Sequence, residues 1–161
     1  YKMNEKIGKE QYLVPLKKEI EYIQSYLLLL KKRYGEGFTA IFELDHTLDE
    51  YPVPHIFLQP LIENCIVHGS CAGQEKLDII IRTLQTETEK LIIIKNTGNI
   101  LSREQVKELN DMVQREFEVG KQERVKTLQN INFRLKTACS GQCGLNFEFD
   151  ENYVVLKIRI G

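Results

Sequence analysis

The chain has 161 residues, enough for one domain with a sizeable core. With 42% hydrophobic and 28% charged residues it has the make-up of an ordinary globular protein. Its formal charge of −1, from 22 basic and 23 acidic residues, gives no electrostatic case for nucleic acid or an anionic membrane. Apolar runs such as Leu27 to Leu30 and Leu91 to Ile94 are too short to span a bilayer, and no signal-peptide pattern is present. The first residue is Tyr1, and the chain reads as a fragment of a longer protein.

In chain order, Leu16, Ile20, Ile23, Leu27 and Leu30 recur at spacings of three and four and predict a first helix from about Val14 to Arg33. Glu19 and Glu21 lie early and Lys31, Lys32 and Arg33 lie late, as the helix dipole prefers, with Gly35 and Gly37 as the stop. The apolar stripe of this helix suits docking on its own sheet, and equally a dimer seam or a lever to an upstream domain. Phe38 to Leu44 reads as a strand, followed by a polar connection from Asp45 to Glu50. Pro52 and Pro54 punctuate the approach to a second helix, with Pro54 suited to a first-turn position. Pro60 predicts a start or kink of that helix just before Glu63.

The second helix carries polar residues that need a reason. At a period of about 3.6, Phe57, Leu58, Leu61, Ile62, Cys65 and Ile66 cover about half its circumference. Ile56 and Val67 fall on the other half, which predicts a mostly buried helix. Asn64 and His68 are i and i+4 on one edge, beside Glu63. Asn is a poor helix-interior residue because its amide competes for the backbone. The edge reads either as a ligand-binding edge or as a buried, mutually satisfied polar pair.

Farther on, Leu77 to Leu84 and Leu91 to Ile94 read as strands, with a turn at Thr86 to Lys90; the second is a continuous apolar run expected of a central strand. After the turn cluster Lys95 to Asn99, Ser102 and Gln105 form a capping box opening a helix whose apolar side is Val106, Leu109, Val113 and Phe117. A charged turn from Val119 to Arg124, containing Gly120, precedes a helix from about Val125 to Cys139. The chain closes on a hairpin with period-2 alternation, Leu145, Phe147 and Phe149 against Val154, Leu156, Ile158 and Ile160. The order α-β-α-β-β-α-α-β-β predicts an α/β two-layer sandwich with a mixed, largely antiparallel sheet and helices on one face. Cys65, Cys71, Cys139 and Cys143 form no Cys-x-x-Cys pair, so no zinc site is expected, and reduced thiols are the default reading.

The run Leu58-Gln59-Pro60-Leu61-Ile62-Glu63-Asn64-Cys65-Ile66-Val67-His68-Gly69 resembles the N box of the LytS/YesM-type sensor histidine kinases. The stretch from Lys18 to Leu27 with Arg33-Tyr34-Gly35 resembles that family's first helix, and Leu128-Gln129-Asn130-Ile131-Asn132-Phe133-Arg134-Leu135 its Gly-Leu-x-Asn-Val-x-x-Arg-Leu helix. The resemblance covers nearly the whole chain in order. It implies the GHKL (Bergerat) ATP-binding fold, with residues 1–35 as a helix linking from an upstream dimerisation and acceptor region and 36–161 as the ATP-binding catalytic domain.

The resemblance also implies roles. Asn64 is expected to give its side-chain oxygen to Mg²⁺, Glu63 to orient or deprotonate the attacking group, and His68 to line the phosphate side. Asn96 stands where the family has the Asp that accepts from the adenine amino group, with Gly98 as the close-approach glycine. Thr127 falls in the second glycine box, residues from about Asn99 to Thr127 are expected to form a lid, and Asn130 and Arg134 to support its base. The implied partners are ATP, a response regulator and a second copy in a full-length homodimer; the implied setting is the cytoplasmic domain of a membrane sensor, anchored only through upstream segments.

The sequence also departs from that pattern. Ile100 replaces a glycine, Val125-Lys126-Thr127-Leu128 lacks both glycines of Gly-x-Gly-Leu, Val67 replaces a lysine, and Asn152-Tyr153 replaces Gly-Thr. Lys121, Arg124 and Lys126 either restore phosphate contacts or form a solvated charged turn. Two functions follow: a histidine kinase catalytic domain that phosphorylates a histidine outside these residues, or a degenerate module that binds nucleotide weakly or not at all and serves as a signalling or dimer partner.

Overall fold

A computed structural model describes residues 12–69, 76–115, 123–139 and 142–161. Phe117, Gly120, Lys121, Cys71 and the side chain of His68 lie outside the described residues.

Two strands were not foreseen. β1 (Leu13–Pro15) pairs antiparallel with β3 (Pro52–Pro54), Val14 opposite Val53. Val14 therefore belongs to a strand, not a helix, and Pro54 to a strand rather than a first helical turn. Three prolines in six residues suit a short edge ribbon that needs few backbone donors. The ribbon also serves α1 (Leu16–Tyr34), whose N-cap Pro15 makes no side-chain cap. The amides of Leu16 and Lys17 instead donate to the carbonyls of Tyr51 and Asp49, each at 2.9 Å. Leu16, Ile20, Ile23 and Leu27 are buried, so the stripe of α1 docks on its own domain. The helix ends at Gly35, whose φ of 70° is glycine territory and whose N–H returns to Lys31.

The main sheet has the order β2-β4-β5-β7-β6, built from β2 (Phe38–Glu43), β4 (Leu77–Gln85), β5 (Lys90–Asn96), β6 (Gly144–Glu148) and β7 (Val154–Arg159). β2 and β4 are parallel; the other three pairings are antiparallel. The parallel pair requires a crossover, which α2 (Leu58–Gly69) supplies. Register carries one row of side chains across the sheet: Phe42, Ile81, Ile94, Leu156 and Phe147 share a face. That face is the core. On the other, Arg82, Lys95, Lys157 and Arg159 fall in the alternate rows, so the sheet carries helices on one side and charge on the other. This is the mixed two-layer sandwich that the element order predicts.

α3 (Arg103–Gln114) opens on the predicted capping box: Ser102 Oγ accepts from the amide of Gln105, and Gln105 Oε1 from that of Ser102. The helix is fixed to the edge of the sheet. Asn110 donates to the carbonyl of Phe147 and accepts from its amide, at 2.9 and 2.7 Å. From α4 (Glu123–Ala138), Asn132 Oδ1 accepts from the amide of Leu145 at 2.9 Å. These amides occupy the unpaired edge of β6, which would otherwise invite another strand.

The expectation of reduced thiols is overturned at one end of α4. Cys139 and Cys143 are joined in a disulfide, closing the turn between α4 and β6. Among the described residues no helix is long and apolar enough to cross a membrane.

Candidate functional site

α2 begins under unusual restraint. Ile56, just before it, has φ of 51°, the left-handed region that penalises a β-branched side chain. Glu19 of α1, itself buried, accepts from the amides of Ile56 and Phe57 at 3.1 and 3.0 Å. Arg134 of α4 donates to the carbonyls of His55 and Ile56. Two helices thus grip opposite polar groups of one turn and set where α2 starts. Pro60 then lies in the first turn, where its missing N–H breaks no helical bond. The helix turns Leu58, Leu61 and Ile62 into the core, while Val67 and Ile56 are exposed, so less of it is buried than its composition predicts.

Asn64 is carried inward on this helix. Its Oδ1 is buried and has no hydrogen-bond partner among the described residues. The alternative of a mutually satisfied polar pair involves the side chain of His68, which lies outside the described residues. An orphaned buried acceptor costs about 1–3 kcal/mol, which is tolerated most readily where a ligand restores the bond.

Beside it opens a cavity of about 520 Å³. Its floor includes Phe147, Val154 and Leu156 from the core face of the sheet, and its rim the turn from Gly98 to Leu101. Asn96 ends β5 on the core face, between Ile79 and Val154. It is 2% exposed, and its Nδ2 donates to the carbonyl of Thr97 at 2.8 Å. That bond sets the amide with Nδ2 as the donor, so that Oδ1 is its acceptor atom. Thr97 is fixed in turn, its amide donating to Asp78 and its Oγ1 accepting from the amide of Asp78. Gly98 follows with φ of 130°, a conformation reserved for glycine.

Arg124, at the start of α4, also borders the cavity, and its Nε is buried without a partner among the described residues. Burial lowers its pKa from the usual guanidinium value, an effect opposed by Cys65. Cys65 in turn is pushed up to about 12 by burial, with Arg124 pulling the other way. The thiol is thus neutral at physiological pH and no counter-ion.

The structure brings Asn64, Asn96 and Gly98 to one cavity and leaves Glu63, Thr127, Asn130 and Arg134 outside its lining, the side chain of His68 lying outside the described residues. Glu63 is exposed and accepts from Gln59 at 2.9 Å. Thr127 is half-buried; Asn130 borders a separate groove with Phe133 and Lys136. Arg134 donates to the turn before α2. Of the expected lid over 99–127, residues 99–101 and Gln105 line the cavity and α3 is anchored to β6, while 116–122 lie outside the described residues. Sequence reasoning did not single out Cys65 as a wall; it named Arg124, with Lys121 and Lys126, as either restoring phosphate contacts or forming a solvated turn, and Arg124 borders the cavity.

The residues fit a hard cation in one respect. Mg²⁺ takes one or two protein oxygens and fills its octahedron with water and phosphate, so a single orphaned amide oxygen suffices. Among the described residues no group of three His, Cys, Asp or Glu forms an all-protein metal site.

No family model matches the chain. In sequence it is similar to the sensor protein LytS of Oceanobacillus iheyensis, 34% identical over 95 residues, covering 59% of this chain and 16% of that protein. It is also similar to the sensor histidine kinase/phosphatase LytS of Staphylococcus aureus, 28% identical over 143 residues, 88% of this chain and 24% of that protein. The chain therefore spans at most a quarter of the length of these curated relatives. In structure it is similar to the catalytic domain of histidine kinase ThkA, with TM-score 0.63 and 17% identity over 94% of this chain and 95% of that one. It is likewise similar to the histidine kinase domain of the Erythrobacter litoralis blue-light activated kinase, with TM-score 0.60 and 12% identity over 91% and 64%. By sequence the chain is similar to the LytS sensor histidine kinases, and its α/β sandwich has the fold of the solved histidine kinase catalytic domains.

Proposed function

We propose that this chain binds ATP in the cavity beside Asn64 and passes the γ-phosphoryl group to a histidine outside these residues. The observation that carries the reading is the buried, unpartnered Asn64 Oδ1 at one cavity with Asn96 and an apolar floor. Its volume lies within the range of about 300–1,000 Å³ typical of small-ligand sites.

Each residue then has a task. Asn96 accepts from the 6-amino group of adenine, a bond that a 6-oxo purine cannot supply. Gly98 allows the backbone to approach the base. Asn64 holds Mg²⁺ by its amide oxygen, and the ion supplies charge neutralisation of the phosphates. Glu63, exposed and steadied by Gln59, stands where an imidazole arriving from solvent is oriented or relieved of its proton. His68 and Thr127 are assigned to the phosphate side by position in the family's motifs, and Asn130 to the base of the lid. Arg134 acts at a distance, by holding the start of α2.

Residues 1–35 serve as the link to an upstream acceptor region and residues 36–161 as the catalytic domain. The full-length protein is a homodimeric membrane sensor with this domain on the cytoplasmic side. A response regulator is its downstream partner, as supported by the solved complex of the similar kinase ThkA with the response regulator TrrA.

Isothermal titration with Mg-ATP is the test. Saturable binding is expected, with GTP at least about tenfold weaker because Asn96 is left unpaired. A second reading rests on Val125, buried where the family's glycine would admit phosphate: a module that has kept the fold and lost the nucleotide. Absence of heat at millimolar ATP overturns the kinase reading and leaves this one.

A further inference from the structure

We propose that Arg124 is the phosphate-binding cation of this cavity, replacing through its side chain the backbone contacts that the missing glycines would have made. The inference rests on the nucleotide reading above and adds a residue to it.

In the family's pattern, glycines at the start of this helix let backbone N–H groups close on phosphate. Here that approach is taken by Val125, whose side chain is buried. The residue before it is a half-buried arginine at the same cavity. A buried charge is normally paired, and leaving it unpaired is costly. Among the described residues Arg124 has no such partner: its Nε is buried without a hydrogen bond, and no carboxylate pairs with it. Its ionisable neighbour is the neutral thiol of Cys65.

The other polar side chains at the cavity, Asn64, Asn96, Asn99 and Gln105, are neutral amides. Among the described residues Arg124 is thus the one charged side chain there. A cavity that presents, among the described residues, one uncompensated guanidinium and no carboxylate selects an anion, and the planar fork of the guanidinium matches phosphate oxygens. The apolar floor and the acceptor of Asn96 give the same anion a base to carry, which favours a nucleotide polyphosphate over an isolated ion.

The test compares the wild type with Arg124→Gln and Arg124→Lys, by calorimetric titration with ATP, adenosine and inorganic tripolyphosphate. Far-ultraviolet dichroism and urea midpoints establish that each variant is folded. For Arg124→Gln the expected result is about tenfold or greater loss of ATP affinity with adenosine binding unchanged, since a charge-assisted hydrogen bond is worth about 1.5–3 kcal/mol. Arg124→Lys should recover part of that loss. The proposal is overturned if Arg124→Gln binds ATP as the wild type does, or if it loses adenosine and ATP equally, which marks a structural role. Should the wild type bind no ATP, the nucleotide reading fails by itself and tripolyphosphate decides Arg124. Binding that the Gln variant loses supports an anion site, and no binding to the wild type overturns it.

Discussion

Asn96 illustrates how one bond decides what a residue offers. An amide can present either an acceptor or a donor, and the choice is made by the carbonyl of Thr97, which takes Nδ2. Replacing Asn96 by the Asp of the family's pattern would set a carboxylate oxygen against that carbonyl in a site only 2% exposed. We expect Asn96→Asp to lower unfolding free energy by about 1–3 kcal/mol in urea denaturation at pH 7 and to leave ATP binding no stronger. A variant as stable as the wild type would mean that the Thr97 bond does not set the amide. Asn64 was legible as a polar residue on a buried helix, and Asn96 by its place in a motif. Arg124 was legible only as one of three cations with Lys121 and Lys126, because a charged residue in a charged turn is indistinguishable in sequence from one that faces water. The cue that separates them, a buried Nε with no partner, exists only in three dimensions.

At the scale of elements, the grip on the start of α2 is what aims Asn64 at the cavity. Glu19 supplies acceptors to two amides of a turn whose central residue is a left-handed isoleucine. The two halves of that arrangement make opposite predictions. Glu19→Ala strands two amides in a largely buried turn and should cost about 3 kcal/mol. Ile56→Gly removes the steric penalty at φ of 51° and, since Ile56 is 42% exposed, should cost little or stabilise by up to about 1 kcal/mol. Urea midpoints measure both; a Glu19→Ala variant of unchanged stability would show that the grip is ornamental.

Elements with a strong period were legible: α1 from its 3-and-4 spacing, β6 and β7 from alternation, α3 from its capping box. The β1–β3 ribbon was not, because three-residue strands made half of proline carry no period, and their pairing is long-range. Glu19 was read as a dipole preference, and only the fold turns it toward a turn that lies 37 residues away.

Over the whole molecule, the sandwich places its helices against one face of the sheet and leaves charge on the other. α1, α2 and α4 meet at the turn of residues 55–57, and the last two also border the cavity. The mixed topology was legible from the order of hairpins and helices. The disulfide between Cys139 and Cys143 was not, since a spacing of four carries no pairing rule and the thiols were read as reduced.

The central claim is that Asn64 is the magnesium edge of a nucleotide site, and the direct measurement is the ATP affinity of the wild type and Asn64→Ala, each in Mg²⁺ and in EDTA. The account predicts that Mg²⁺ strengthens ATP binding to the wild type by about tenfold and has little effect on Asn64→Ala. Identical binding by the two proteins, with the same response to Mg²⁺, would contradict it.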